Sequence, residues 1–207
     1  MLREYYTNVI PIDIIDEIIK DYNSRNEYQT STMNKADPGR SLFLILPYCQ
    51  KLFDKELEYK SGNFYKHTRP YLPHTDFKIN QGNEVNLVIP LQYTGEQASL
   101  VIFDQAWYND SVTWCLNHGV IYFSVNTGVK GRPSDYPDVQ FQTFEPIDND
   151  FYSKYLTHEN RDCYFGMSGV AFPFQPTSIM IFDNRLIHCT SNFKGEKLGL
   201  SLRFSLK

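Results

Sequence analysis

The chain has 207 residues, 42% of them hydrophobic and 21% charged, enough for one domain with a sizeable core and no need of a disulfide staple. Its 20 Lys and Arg against 24 Asp and Glu leave a net charge of -4 with no charged block, which argues against a nucleic-acid or anionic-membrane partner; Lys60, Lys66 and Arg69 form a local basic grouping. Cys49, Cys115, Cys163 and Cys189 make no CxxC pair, no apolar leader opens the chain, and runs such as Leu42–Leu46 and Gly169–Phe172 are too short to cross a bilayer, so a soluble, cytoplasmic protein with cysteines packed as small hydrophobes is expected.

A short N-terminal strand is followed by Pro11 and then Ile14, Ile15, Ile18, Ile19 and Tyr22, the spacing of a helix with one apolar stripe that covers a sheet face. Residues 23–41 are polar and end in the turn signature Asp37-Pro38-Gly39, and Lys51–Leu57 reads as a weak helix. From Tyr71 the character changes. Short runs rich in Val, Ile, Leu, Phe and Tyr predict strands at 71–79, 85–93, 99–103, 111–116, 120–126, 139–144, 163–172, 178–183 and 198–206, separated by turns such as Gln81-Gly82-Asn83, with a helix expected at 149–159. Many short strands without alternating long helices predict a mainly β sandwich or barrel. Gly128–Asp138, with Pro133 and Pro137, reads as a loop long enough to overhang a site.

His74-Thr75-Asp76 places an imidazole and a carboxylate two residues apart, on one face of a strand, where both can hold the same metal; Tyr71 is near enough to line that pocket. The apolar strand 178–183 and the turn after it deliver His188. Leu198, Leu200, Leu202, Phe204 and Leu206 then alternate with Gly199, Ser201, Arg203 and Ser205, so one face is core and the other presents an arginine flanked by hydroxyls, suited to a carboxylate ligand. His118 and His158 read as structural or surface histidines, and His67, seven residues before His74, could sit near the pocket mouth but has no period that puts it on the ligand face. Cys189, next to His188 in an extended segment, points away from the metal, so no thiolate ligand is expected.

The order His74-x-Asp76, about 110 residues, His188, then Arg203-x-Ser205 resembles the iron(II)- and 2-oxoglutarate-dependent oxygenases, prolyl-hydroxylase-like members included. Arg69–Asp76, Asn86–Tyr93 and Ile181–His188 extend the resemblance over roughly residues 65–206, with the spacing from His188 to Arg203 longer than usual and Ser191–Lys197 read as a lengthened turn that absorbs it. The resemblance implies a double-stranded β-helix, or jelly roll, over 65–207 supported by a helical and mixed region at 1–64, the whole forming a single oxygenase domain. It implies iron(II) on His74, Asp76 and His188, three further positions open to 2-oxoglutarate and O2, and Arg203 on the distal carboxylate of 2-oxoglutarate with Ser205 and Tyr71 as helpers. Hydroxylation or a related C–H oxidation of a small molecule or peptidyl side chain follows; Asp76 argues against halogenation, and the charge against nucleic-acid demethylation. The rival readings are a cupin-like metal protein or isomerase without 2-oxoglutarate turnover, and a non-catalytic binding module. Trp107, Tyr108 and Trp114 read first as core packing and second as a pocket wall. No oligomeric state is specified.

Overall fold

The computed structural model describes residues 2–25, 37–76, 84–106, 116–117, 120–122, 130–131, 146–164 and 166–207. Strand β1 (Arg3–Tyr6) leads to helix α1 (Ile12–Ser24), which starts directly after Pro11 and carries Asp13 in its first turn, where the helix dipole favours an anion. Ile15, Ile18 and Tyr22 are its buried stripe. The helix expected at 51–57 is displaced: α2 spans Arg40–Gln50, with Ser41, Ile45 and Cys49 buried at every fourth position and Pro47 inside it. Pro47 hides this helix from a sequence reading. It sits on the exposed side, where water can satisfy the carbonyl of Phe43 that loses its donor.

Next come β2 (Leu57–His67), β3 (Glu84–Gly95), β4 (Ser99–Ala106) and three very short strands, β5 (Leu116–Asn117), β6 (Val120–Tyr122) and β7 (Lys130–Gly131). Helix α3 (Asn149–Tyr155), capped by the Asp148 carboxylate accepting from Phe151 N–H, and a 3-10 turn at Arg161–Tyr164 precede β8 (Gly169–Pro173), β9 (Ile179–Asp183), β10 (Leu186–Thr190) and β11 (Gly195–Leu206). The run expected as one strand over 163–172 is therefore a 3-10 turn followed by a strand. No helix among the described residues is long and apolar enough to cross a membrane.

A five-stranded antiparallel sheet has the order β1-β9-β3-β11-β2, and a smaller one the order β10-β4-β8. Leu198, Leu200, Leu202 and Phe204 of β11 pack with α1 and α2 on the outer face of the large sheet. Val101, Ile187 and Cys189 on the outer face of the small sheet pack against Phe151, Leu156 and Tyr164 of the α3 region. Between the sheets, Val88, Met180 and Phe182 meet Leu100, Ile102 and Leu186. Two antiparallel sheets enclosing an inner layer, with helices outside, make the jelly roll.

Strand β2 is not anticipated by its periodicity, and its pairing shows why. Arg203 pairs with Ser61 while Phe204 pairs with Tyr59, so Lys60 is an extra residue and the alternation changes phase there. Leu57 and Tyr59 face the helices before this bulge and Phe64 after it.

Ile18 is 0% exposed and Ile12 59% exposed on the same helix. Ile18→Ala should cost about 2–5 kcal/mol in urea unfolding, the range for truncating a buried Ile or Leu, and Ile12→Ala less than about 0.5 kcal/mol.

Candidate metal centre

Residues 71–76 run antiparallel along β10. Thr190 N–H donates to Tyr71 O at 3.3 Å, His74 N–H to His188 O at 2.9 Å, His188 N–H to His74 O at 2.8 Å, and Asp76 N–H to Asn184 O at 3.3 Å. Residues that exchange both backbone bonds lie directly opposite each other, so the side chains of His74 and His188 share a face. Their ring centroids are 4.2 Å apart. Asp76, two residues beyond His74, joins that face, and one ligand atom from each of the three residues lies within 4.8 Å of the others.

Both imidazoles are held in the tautomer a metal requires. His74 Nδ1 bonds Leu72 O at 2.8 Å and His188 Nδ1 bonds Leu186 O at 3.1 Å. A carbonyl only accepts, so each Nδ1 carries the proton and each Nε2 keeps its lone pair for a metal. Burial, then the neighbouring His74, pushes His188 down to about 3; burial also lowers His74, against the pull of Asp76, so both rings are neutral ligands. Burial would raise the Asp76 carboxyl, but Arg203 foremost, together with the hydrogen bond from Asn86, holds it below the ordinary range. Asn86 Nδ2 donates to Asp76 Oδ2 at 3.0 Å and Arg203 Nη2 lies 3.0 Å from Oδ1, which fixes the carboxylate plane. His188 Nε2 is 3.6 Å from Asp76 Oδ2. Ligand atoms about 2.1 Å from a common ion stand about 3 Å apart at adjacent octahedral positions, so the donor set, more widely spaced here, would close inward on a divalent metal.

The other expected site residues divide. Tyr71 packs edge-on to His74, with centroids 4.7 Å apart, and stacks on His67 at 5.5 Å. His67 thus stands at the wall of the site, its pKa lowered to about 4 by burial foremost. Arg203 faces the site but is engaged with Asp76. Ser205 is directed elsewhere, donating to Glu58 Oε2 at 3.3 Å. Cys189 is buried in the layer behind the small sheet, away from the metal face, and burial raises its thiol pKa. His158 is half-buried and lowered to about 4 by burial. Cys115, His118, Trp107, Tyr108 and Trp114 lie outside the described residues, as does the loop at 128–138 apart from Lys130 and Gly131 in β7.

Lys197 is the residue that sequence reasoning missed. Taken there as part of a turn, it lies in β11 on the inward face that carries Gly199, Ser201 and Arg203, and is 3% exposed. Its Nζ is 2.9 Å from Thr190 Oγ1 and 5.6, 4.9 and 5.7 Å from the ring centroids of Tyr65, Phe174 and Phe193. No carboxylate among the described residues pairs with it. Each ring contributes about 0.5–2 kcal/mol, against a desolvation cost of several kcal/mol for a buried ammonium. Burial wins, and Lys197 falls to about 7. Gly199 makes room for this cage, since a Cβ there would come within 2.3 Å of Tyr65 Oη. Extending the β11 alternation one step toward the turn would have put Lys197 on the Arg203 face.

No protein-family model matches the chain, and no curated protein matches it in sequence. Solved structures do resemble it. The non-heme alpha ketoglutarate dependent epimerase SnoN from nogalamycin biosynthesis gives a TM-score of 0.56 at 11% identity over 98% of this chain and 77% of that one. EctD from S. alaskensis gives 0.51 at 10% identity over 99% and 72%, and HygX from Streptomyces hygroscopicus, solved with iron bound, gives 0.51 at 9% identity over 99% and 82%. At such identities the likeness is one of fold. Fold and site together define a jelly-roll protein with a two-histidine, one-carboxylate cluster.

His74→Ala and His188→Ala should abolish binding of Fe(II) or Mn(II) in anaerobic calorimetric titration. Asn86→Ala should weaken it about 10–100-fold, the usual effect of losing a group that orients a ligand. Parent-like binding in all three would remove the triad from the role.

Proposed function

We propose that this protein is an iron(II)- and 2-oxoglutarate-dependent dioxygenase, a single oxygenase domain acting in the cytoplasm, that hydroxylates or otherwise oxidises a C–H bond of a small molecule or peptidyl side chain. The observation that carries the reading is the pairing, inside one barrel, of the His74, Asp76 and His188 cluster with a buried cation, Lys197, that has no anion partner among the described residues. Iron(II) when bound supplies the redox chemistry by which 2-oxoglutarate, O2 and R–H become succinate, CO2 and R–OH.

The chain's own residues position these reactants. His74 and His188 present Nε2, and Asp76 presents an oxygen whose direction Asn86 and Arg203 fix. An iron(II) held by these three residues would have positions left for a chelating 2-oxo acid and O2. Two cations face inward from β11, and their surroundings separate their roles. Arg203, with Tyr71 beside His74, borders the metal end of the cosubstrate, whereas Lys197 takes the distal carboxylate. Tyr65, Phe174 and Phe193 keep water from that ion pair, and Thr190 Oγ1 accepts from the ammonium and can donate to the incoming carboxylate. Ser205, turned to Glu58, is at most a distant support for the expected arginine clamp.

Calorimetry with 2-oxoglutarate on the metal-loaded chain, followed by succinate measurement in O2, tests the proposal. Losing one partner of a buried charged pair costs about 2–5 kcal/mol, so Lys197→Ala should weaken 2-oxoglutarate binding by about 30-fold or more, with Arg203→Ala acting mainly on metal binding. If Arg203→Ala weakens 2-oxoglutarate binding at full metal occupancy while Lys197→Ala does not, the distal carboxylate belongs to Arg203. Neither binding nor succinate in the parent would end the oxygenase reading.

The pH dependence has a definite sign. Free Lys197 is protonated below about 7 and loses its charge above it, while a bound carboxylate favours the charged form. Affinity for 2-oxoglutarate should therefore be full below about pH 7 and decline as pH rises through it. Lys197→Arg, if it retains binding, should flatten the profile; a profile in the parent that is flat from pH 6 to 9 would contradict the assignment.

A further inference from the structure

The cross-strand register arranges the inward-facing residues of the large sheet in rows. Arg203, Asn86 and Phe182 lie opposite one another across β11, β3 and β9, and this row serves the metal: Arg203 and Asn86 hold Asp76, and the Phe182 ring is 4.6 Å from that of His188. Along β3, the next inward residue on the side away from Lys197 is Glu84, opposite Ser205 on β11. The pairing of Val85 with Asp183, and the bond from Asn184 N–H to Glu84 O at 3.2 Å, put Asn184 directly across from Glu84 on its other side.

This outer row is polar and buried. Glu84 is 6% exposed and Asn184 and Asn86 are 0% exposed. Glu84 Oε2, Asn86 Oδ1 and both side-chain atoms of Asn184 have no hydrogen-bond partner among the described residues. Native interiors rarely leave such groups unmade, since each costs about 1–3 kcal/mol and a carboxylate more. Four such atoms lie together in three neighbouring residues, where a single ligand could satisfy them. Three are acceptors, one belonging to a carboxylate with no cation beside it among the described residues. The complementary ligand is compact, cationic and offers three N–H donors.

We propose that Glu84, Asn184 and Asn86 form a subsite for a primary ammonium group, which anchors the substrate beside the metal. The substrate class is then an amine, either a free small molecule or a lysyl side chain. Its role as a substrate anchor rests on the oxygenase reading above; the binding of the amine does not. Two residues along a strand span about 7 Å, so an ammonium between Glu84 and Asn184 sits one row from Asp76 and the carbons it bears reach toward the metal. Lys197 lies on the opposite side of the metal row, so amine and 2-oxoglutarate do not compete. Arg203 does not repel the amine strongly, because Asp76 already neutralises it. Asn184 Nδ2, the orphaned donor, is left for an oxygen on the same substrate.

Saturation-transfer NMR on the 207-residue chain tests this with n-butylammonium, 1-butanol and butyrate, and with the blocked tripeptide acetyl-Gly-Lys-Gly-amide for the peptidyl source. Butylammonium should bind at least about tenfold more tightly than butanol or butyrate with 2-oxoglutarate present, and Glu84→Gln should reduce its affinity about 10–100-fold, the value of a charge-assisted hydrogen bond. In the Mn(II)-loaded chain its protons should be broadened by the metal. Tripeptide binding with the same dependence on Glu84 assigns the lysyl source, and butylammonium binding without it assigns the free amine. Equal binding of the three small probes to the parent, which involves no variant and no folding risk, overturns the subsite, as does a folded Glu84→Gln that binds butylammonium as the parent does. The metal-free chain separates the two readings. Glu84-dependent amine binding in a protein that takes no Mn(II) or 2-oxoglutarate would end the oxygenase reading and leave the subsite, whereas Mn(II) and 2-oxoglutarate binding without it would do the reverse.

Discussion

Two backbone hydrogen bonds exchanged between His74 and His188 set the geometry on which the centre depends, because direct opposition in an antiparallel pair forces two side chains onto one face at close range. Asp76 follows from the same pairing, two residues on and anchored by its own N–H to Asn184. The histidine Nδ1 bonds to Leu72 and Leu186 complete the constraint by fixing tautomer and ring rotation together. A one-residue slip of 71–76 against β10 would turn Thr75 toward the metal and both ligands of that segment away.

The barrel interior is divided by charge along β11. Its outward leucines belong to the helix-covered core, so the strand is held firmly and its inward residues are presented at regular intervals. Arg203 and Lys197 on that face contrast in surroundings: Arg203 is neutralised by a carboxylate that its position orients, and Lys197 sits among aromatic rings with a hydroxyl for company. An ion pair has largely met its desolvation cost already, whereas an isolated buried ammonium has not, and that difference makes Lys197 the stronger binding element for an added anion. Glu84 is the counterpart of opposite sign on the far side of the metal row. Among the described residues the interior thus holds an unmatched cation and an unmatched carboxylate with the candidate metal ligands between them, an arrangement suited to two ligands of different charge meeting at the centre.

Much of this was legible in the chain. The stripe of α1 appears as isoleucines at helical spacing, and β3, β4, β9 and β11 as apolar runs bounded by turn residues, because local pattern decides these elements. The ligand residues could be named because His74 and Asp76 share a face through local geometry alone and His188 follows a strand that reads as buried. Helix α2 was misplaced because Pro47 breaks the local pattern, while burial of Ile45 and Cys49 holds the helix in the fold. Strand β2 escaped because the bulge at Lys60 shifts its alternation halfway, and a bulge is a property of pairing with β11.

What the sequence by itself determined is the set of residues able to bind a metal and the period of the strands that carry them. What tertiary structure decided is which charges lose water and which partners they then find. Arg203 meets Asp76 because β11 lies beside β3 with Arg203 opposite Asn86, a register between strands far apart in the chain. Lys197 is buried because rings from β2 and from the segments around Phe174 and Phe193 close over it, and Glu84 is buried opposite Asn184 with no cation paired to it among the described residues. Burial and long-range register are sums over distant segments, so no local pattern records them, and the electrostatic character of the interior emerges only when the sheets are assembled.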